Sequence, residues 1–221
     1  MVMRWSDNAR DKYIAPELSL FTAADIPDMN AQAVDQAHNQ AAFILNSALR
    51  GGATLLGRQL FFNAIRRTNA AFDAYGRARD WTLMYLEDPE GHELRYVKAI
   101  DAWEDTLGYT WQALQLAANG IKQPWFRKGD GSTPQRLNDL HNTAKHVDER
   151  IINGTLHEES PIGVWLTNDG LKSMASQLTY VELSELLDLL GQYSSIVRDP
   201  STMLEPYQAW LDGLVDHSLE P

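Results

Sequence analysis

Gln135 to Arg150 reads QRLNDLHNTAKHVDER, and the spacing of its apolar residues decides the fold class. Leu137, Leu140, Ala144 and Val147, followed by Ile151, recur at intervals of three and four, the signature of one buried stripe on an amphipathic helix. At about 100° per residue, Asn138, Asn142, Lys145, His146 and Glu149 fall on the roughly opposite face. That face is rich in Asn and His, where an ordinary solvated helix carries Glu and Lys, so it is the first place to look for a site or a partner.

The same periodicity extends outward in both directions. Upstream, Asp28 to Arg50 forms a helical run that places Val34, Ala37, Ala41, Leu45 and Ala48 on one face, and Gly51–Gly52 ends it. Thr54 to Glu87 follows, with Phe61, Ile65, Phe72 and Tyr75 as its apolar face and Gly76 as a candidate break. After the turn residues Asp88-Pro-Glu-Gly91, His92 to Ala118 aligns Ile100, Trp103, Leu107, Trp111 and Leu114 as core. Ser132 and Gln135 have the spacing of a capping box that opens the Asn/His helix, and Thr179 and Glu182 have that spacing again before Leu183, Leu186, Leu187 and Leu190. Residues 162 to 177 read as a β-hairpin turning at Asn168-Asp169-Gly170, and Tyr207 to Val215 as a last short helix. The expectation is an all-α bundle of four to five main helices with a small hairpin excursion. It comprises an N-terminal arm over residues 1–27 and a single helical domain over 28–221.

Composition excludes several function classes. The chain has 221 residues, enough for a sizeable core, and its formal charge of -11 offers no cationic surface for coating DNA. It contains no Cys, which removes thiolate metal sites and thiol nucleophiles. No apolar run approaches the roughly 20 residues of a membrane span, and the N-terminus lacks the apolar core of a signal peptide, so a cytoplasmic location is expected. His141 and His146 are five positions apart and diverge around a helix, which disfavours a shared metal. The loop Lys128-Gly-Asp-Gly-Ser132 lacks the order of a phosphate-binding loop. No cofactor is expected.

The hexapeptide His141-Asn142-Thr143-Ala144-Lys145-His146 resembles the motif of HEPN domains, compact helical bundles in which a late helix carries an Arg, a polar residue and then a His four to six residues after the Arg. Here His141 stands where the Arg is usual. Arg136 offers a second register ending at His141, with Leu137 at the polar position. The resemblance implies metal-independent RNA cleavage at a dimer interface. In that reading His146 exchanges a proton near the 2'-hydroxyl, Asn142 positions, and Lys145 or Arg150 supplies the cation. His141 is the fourth catalytic candidate, and Asn138, Glu149, Arg136 and Arg150 are candidate binding residues. Replacing a guanidinium fork by an ammonium is not conservative, so a noncatalytic alternative stands beside it. That alternative is a dimeric interaction or scaffold module, such as a partner of a toxin or defence system. Trp103, Trp111, Trp125, Trp165 and Trp210 would supply interface aromatics. Both readings expect a homodimer, with an RNA or protein partner.

Overall fold

The computed structural model describes residues 6–89, 93–156 and 161–202. Helices α1 (Asp7–Tyr13), α2 (Asn30–Leu49), α3 (Leu55–Glu87), α4 (Glu93–Ile121), α5 (Thr133–Lys145), α6 (Val147–Ile152) and α7 (Tyr180–Val197) are joined by a small three-stranded antiparallel sheet that packs on α5 and α7. Its strands β1 (Trp165–Leu166), β2 (Gly170–Lys172) and β3 (Gln177–Thr179) lie in the order β1-β2-β3. The architecture is an all-α bundle with a small β excursion. The expected helix at Tyr207–Val215, Trp210 and the turn residues Glu90–Gly91 lie outside the described residues.

The antiparallel pair α3 and α4 forms the spine. Tyr85 meets Tyr96 at one end, Trp103 meets Tyr75 and Thr82 in the middle, and Arg67 lies over the Tyr109 ring further along. Buried Ala71, Ala74, Ala78, Ala99 and Ala102 let the two backbones approach, so the large aromatics interdigitate between them. Helix α3 runs unbroken through Gly76, where a Cβ would meet only open space. Of the expected core stripe of α4, Ile100, Trp103, Leu107 and Leu114 are buried, and Trp111 is half-buried against the same core. Trp103 and Trp165 are likewise core, not interface, residues.

The sheet continues past the expected hairpin into β3, whose end caps α7. Thr179 accepts the Glu182 N–H while the Glu182 carboxylate accepts the Thr179 N–H, completing the expected capping box. Leu183, Leu186, Leu187 and Leu190 then pack inward. Before α2, the chain is tied to the same core: Ala15, Leu18, Phe21 and Ile26 are buried, and Glu17 pairs with Lys172 of β2 at 2.8 Å.

Three expectations fail, each for a physical reason. The Asn/His helix is not continuous, because His146 adopts φ -113°, ψ 36° and separates α5 from α6. Thr143 instead takes an inward position against Gly163, and Ile151 is left exposed. The box at Ser132 does not close: Gln135 accepts the Gly131 N–H, and Asp130 accepts that of Ser132. The face of α2 is inverted. Val34, Ala37, Ala41, Leu45 and Ala48 point to solvent, while Gln36, Asn39 and Phe43 are buried.

Candidate functional site

The expected site residues are distributed over three different environments. On α5, Asn142 donates through Nδ2 to Oδ1 of Asn138 at 3.1 Å, one turn away, so a single hydrogen bond links the two amides within the helix. His141 is half-buried beside Gly108 and Trp111 of α4, with 6.5 Å between the His141 and Trp111 ring centroids. Burial pushes its pKa down, and the charges of Lys145 and His146 push the same way. The ring thus packs as a wall of the α4–α5 contact.

His146 sits at the break itself, where its Nδ1 lies 3.4 Å from the Glu149 carboxylate of α6. This pair spans the kink, and His141 is not part of it. Lys145 is exposed, and neither it nor Arg150 makes an ion pair with a described residue. The structure therefore brings together Asn138 with Asn142 and His146 with Glu149, but not the hexapeptide as one cluster.

Arg136 is fully committed elsewhere. Its guanidinium donates to both oxygens of Glu182, to the carbonyls of Gly131 and Gln177, and to Thr133 Oγ1. An Arg whose fork is already filled by a carboxylate has no donors left for a phosphate. Among the described residues, no group of three or more His, Asp or Glu side chains is placed to hold a metal ion, and no helix is long and apolar enough to cross a membrane.

Two groups of interest escaped the sequence reading. Glu104 of α4 lines a small, mainly apolar pocket with Tyr96, Ile100, Val147 and Ile162; burial, then the charges of Asp101 and Asp105, raise its pKa to about 7. The second group is a cleft of about 430 Å³ between α2 and α7. It faces Asp35, Gln36 and Asn39 across to Asp188, Gly191 and Arg198. Each set follows helical spacing, so the signal was present as a polar stripe. Periodicity alone assigns the apolar stripe of α2, not this one, to the inner face.

The chain has no match among family models, curated proteins or solved structures.

Proposed function

We propose that this chain is a noncatalytic, self-associating helical module whose docking surface is the outward face of α2. The observation that carries this reading is the exposure of Val34, Ala37, Ala41, Ile44 and Ala48, spaced alternately by three and four residues like the a and d positions of a coiled coil. The stripe is about 21 Å long at 1.5 Å per residue. Leu45 and Leu49 of the same helix, and Leu55 and Leu56 at the start of α3, are each at least 60% exposed. Exposed apolar surface of this extent marks an interaction site, and the three Ala allow close approach of a second helix.

Charge selects the occupant. Over 20 residues α2 carries one carboxylate, Asp35, and no Lys or Arg, in a chain of net charge -11. A basic partner finds nothing to pair with on this face. A second copy finds a long surface on which two acidic chains meet with little repulsion. Two-fold pairing of α2 with α2 presents the same patch from both sides.

Sedimentation velocity across a range of concentrations tests the assignment. The wild type is expected to dimerise and Ala41→Asp to remain monomeric with unchanged circular dichroism. A wild type that stays monomeric throughout overturns it. Because the chain lacks Cys, Ala41→Cys supplies a single thiol near the centre of the stripe, and oxidation is expected to yield a covalent dimer.

A second reading, metal-independent RNA cleavage in the manner of a HEPN domain, is favoured by the His146–Glu149 pair. A carboxylate at Nδ1 equips an imidazole to accept a proton at Nε2. The commitment of Arg136 to Glu182 counts against it. Incubation of labelled single-stranded RNA with wild type and His146→Ala in EDTA decides between the readings: cleavage by wild type alone makes the protein a nuclease.

A further inference from the structure

Where α2 meets α7, Phe43 packs in one cluster with Tyr193 and Val197, and beside this apolar contact both helices present polar residues to each other. Gln36 and Asn39 are only 3% and 2% exposed, so the fold bears the desolvation of two amides at a position where Leu or Ala would pack without cost. Their hydrogen bonds run in one direction. Arg198 donates through Nη1 to Asn39 Oδ1 at 3.1 Å, and Asn39 donates through Nδ2 to Gln36 Oε1 at 3.3 Å. Each bond polarises the next, so the relay ends in a strengthened donor at Gln36 Nε2, which has no acceptor among the described residues.

Gly191 keeps that donor accessible. A Cβ at residue 191 would lie 3.0 Å from Gln36 Nε2. Asp188, one turn earlier on α7, lines the same cleft with no ion pair or hydrogen bond to a described residue, and burial raises its pKa. Asp35 adds a second carboxylate. The lining thus holds two acids, one guanidinium and the imidazole of His38, with a donor that no described residue accepts and an unpaired carboxylate, in a volume suited to a small metabolite.

We infer that the α2–α7 cleft binds a small basic amino acid, whose carboxylate oxygen accepts from Gln36 Nε2 beside Arg198 and whose ammonium group meets Asp188 and Asp35. The residual negative charge of the lining favours a ligand of net charge +1 over a neutral one. A nucleobase also offers an acceptor beside a donor, but it lacks the positive charge for the two carboxylates.

Isothermal titration calorimetry of the full chain with L-arginine and L-lysine, and with guanosine as the neutral comparison, tests the inference. Binding of a basic amino acid is expected, weakened at least tenfold by Asp188→Asn and by Gly191→Ala, both checked for unchanged circular dichroism. Absence of amino-acid binding, preference for guanosine, or binding indifferent to both substitutions overturns it. The result is separable from self-association: Ala41→Asp on the outer face of α2 is expected to leave the titration unchanged, and Asp188→Asn to leave the dimer intact.

Discussion

Arg136 Nη2 donates to Glu182 Oε1 at 2.6 Å, and the second oxygen of the same carboxylate accepts both Arg136 Nη1 and the Thr179 N–H. One Glu side chain thereby joins α5, the end of β3 and the first turn of α7. The carboxylate also lies at the N-terminus of α7, where the helix dipole favours negative charge. Arg136 is therefore a structural tie between these elements.

Replacing Arg136 by Met keeps the stem and removes the fork. The loss of charge-assisted bonds at a partly exposed site is expected to cost about 2 kcal/mol, roughly 4–8 °C in Tm for a chain of this size. The Arg136 hydrogen bond, followed by those from Thr179, lowers the Glu182 pKa below its ordinary 4.5. A lowered carboxylate pKa gives stability that is present above 4.5 and lost as the pH falls through the folded-state value. Thermal melts between pH 7 and pH 3 are therefore expected to converge for wild type and Arg136→Met at the acid end; a constant gap would refute the electrostatic account.

Glu104 has the opposite sign. Its pKa is raised from 4.5 to about 7, so the native state keeps a proton that the unfolded chain gives up between those values. Its contribution is fully present below pH 4.5 and disappears as the pH rises through 7. Glu104→Gln, which retains the shape and cannot ionise, is expected to melt higher than wild type at pH 8 and at nearly the same temperature at pH 4. Equal melting temperatures at pH 8 would place the Glu104 carboxylate in a more hydrated setting than this pocket.

The reach of the sequence is clearest where α4 and α2 are compared. In α4 the large residues Ile100, Trp103, Leu107 and Leu114 occupy one stripe with no competitor, and periodicity alone identifies the core. In α2 the apolar stripe is mostly Ala and the opposing stripe is amide, so burial depends on whether the amides find partners. Those partners, Arg198 and the gap above Gly191, lie more than 150 residues away and are invisible locally. The break at His146 is likewise not marked locally: no Gly or Pro stands there, and Thr143 one turn earlier packs closely against Gly163. For the candidate site, periodicity found the residues, while their pairing followed from that break.

Trp103 Nε1 donates to Thr82 Oγ1 at 2.9 Å in the centre of the spine, and Thr82 in turn donates to the Ala78 carbonyl. Thr82→Val preserves the volume and leaves the indole N–H buried without an acceptor, which costs about 1–3 kcal/mol. Urea denaturation is expected to show a lower midpoint with an unchanged m-value. Trp103→Phe made in the Thr82→Val background is expected to cost less than Trp103→Phe made in wild type, because no donor remains to be orphaned; equal costs would show that the hydrogen bond contributes nothing.

Gly170 sets the sheet against α7 through close backbone approach. A Cβ there would lie 2.1 Å from the Leu178 carbonyl oxygen and 2.6 Å from the Thr179 Cα, and neither backbone group belongs to a side chain that can swing aside. Gly170→Ala must therefore push β2 from β3. That movement strains the Gly170–Thr179 pairing and the bond from the Tyr180 N–H to the Asp169 carbonyl, at the residues that start α7. A loss of about 3 kcal/mol or more is expected, comparable to the largest core substitutions and far above the usual surface effect. Gly76→Ala is the internal comparison: a Cβ there meets open space in mid-helix, so the higher helix propensity of Ala is expected to raise stability by up to about 1 kcal/mol. Hydrogen exchange would locate the damage, with Gly170→Ala accelerating amides of β2, β3 and the first turn of α7 while those of the α3–α4 spine change least. Uniform acceleration across the chain would instead mean that the sheet and the spine unfold as one cooperative unit.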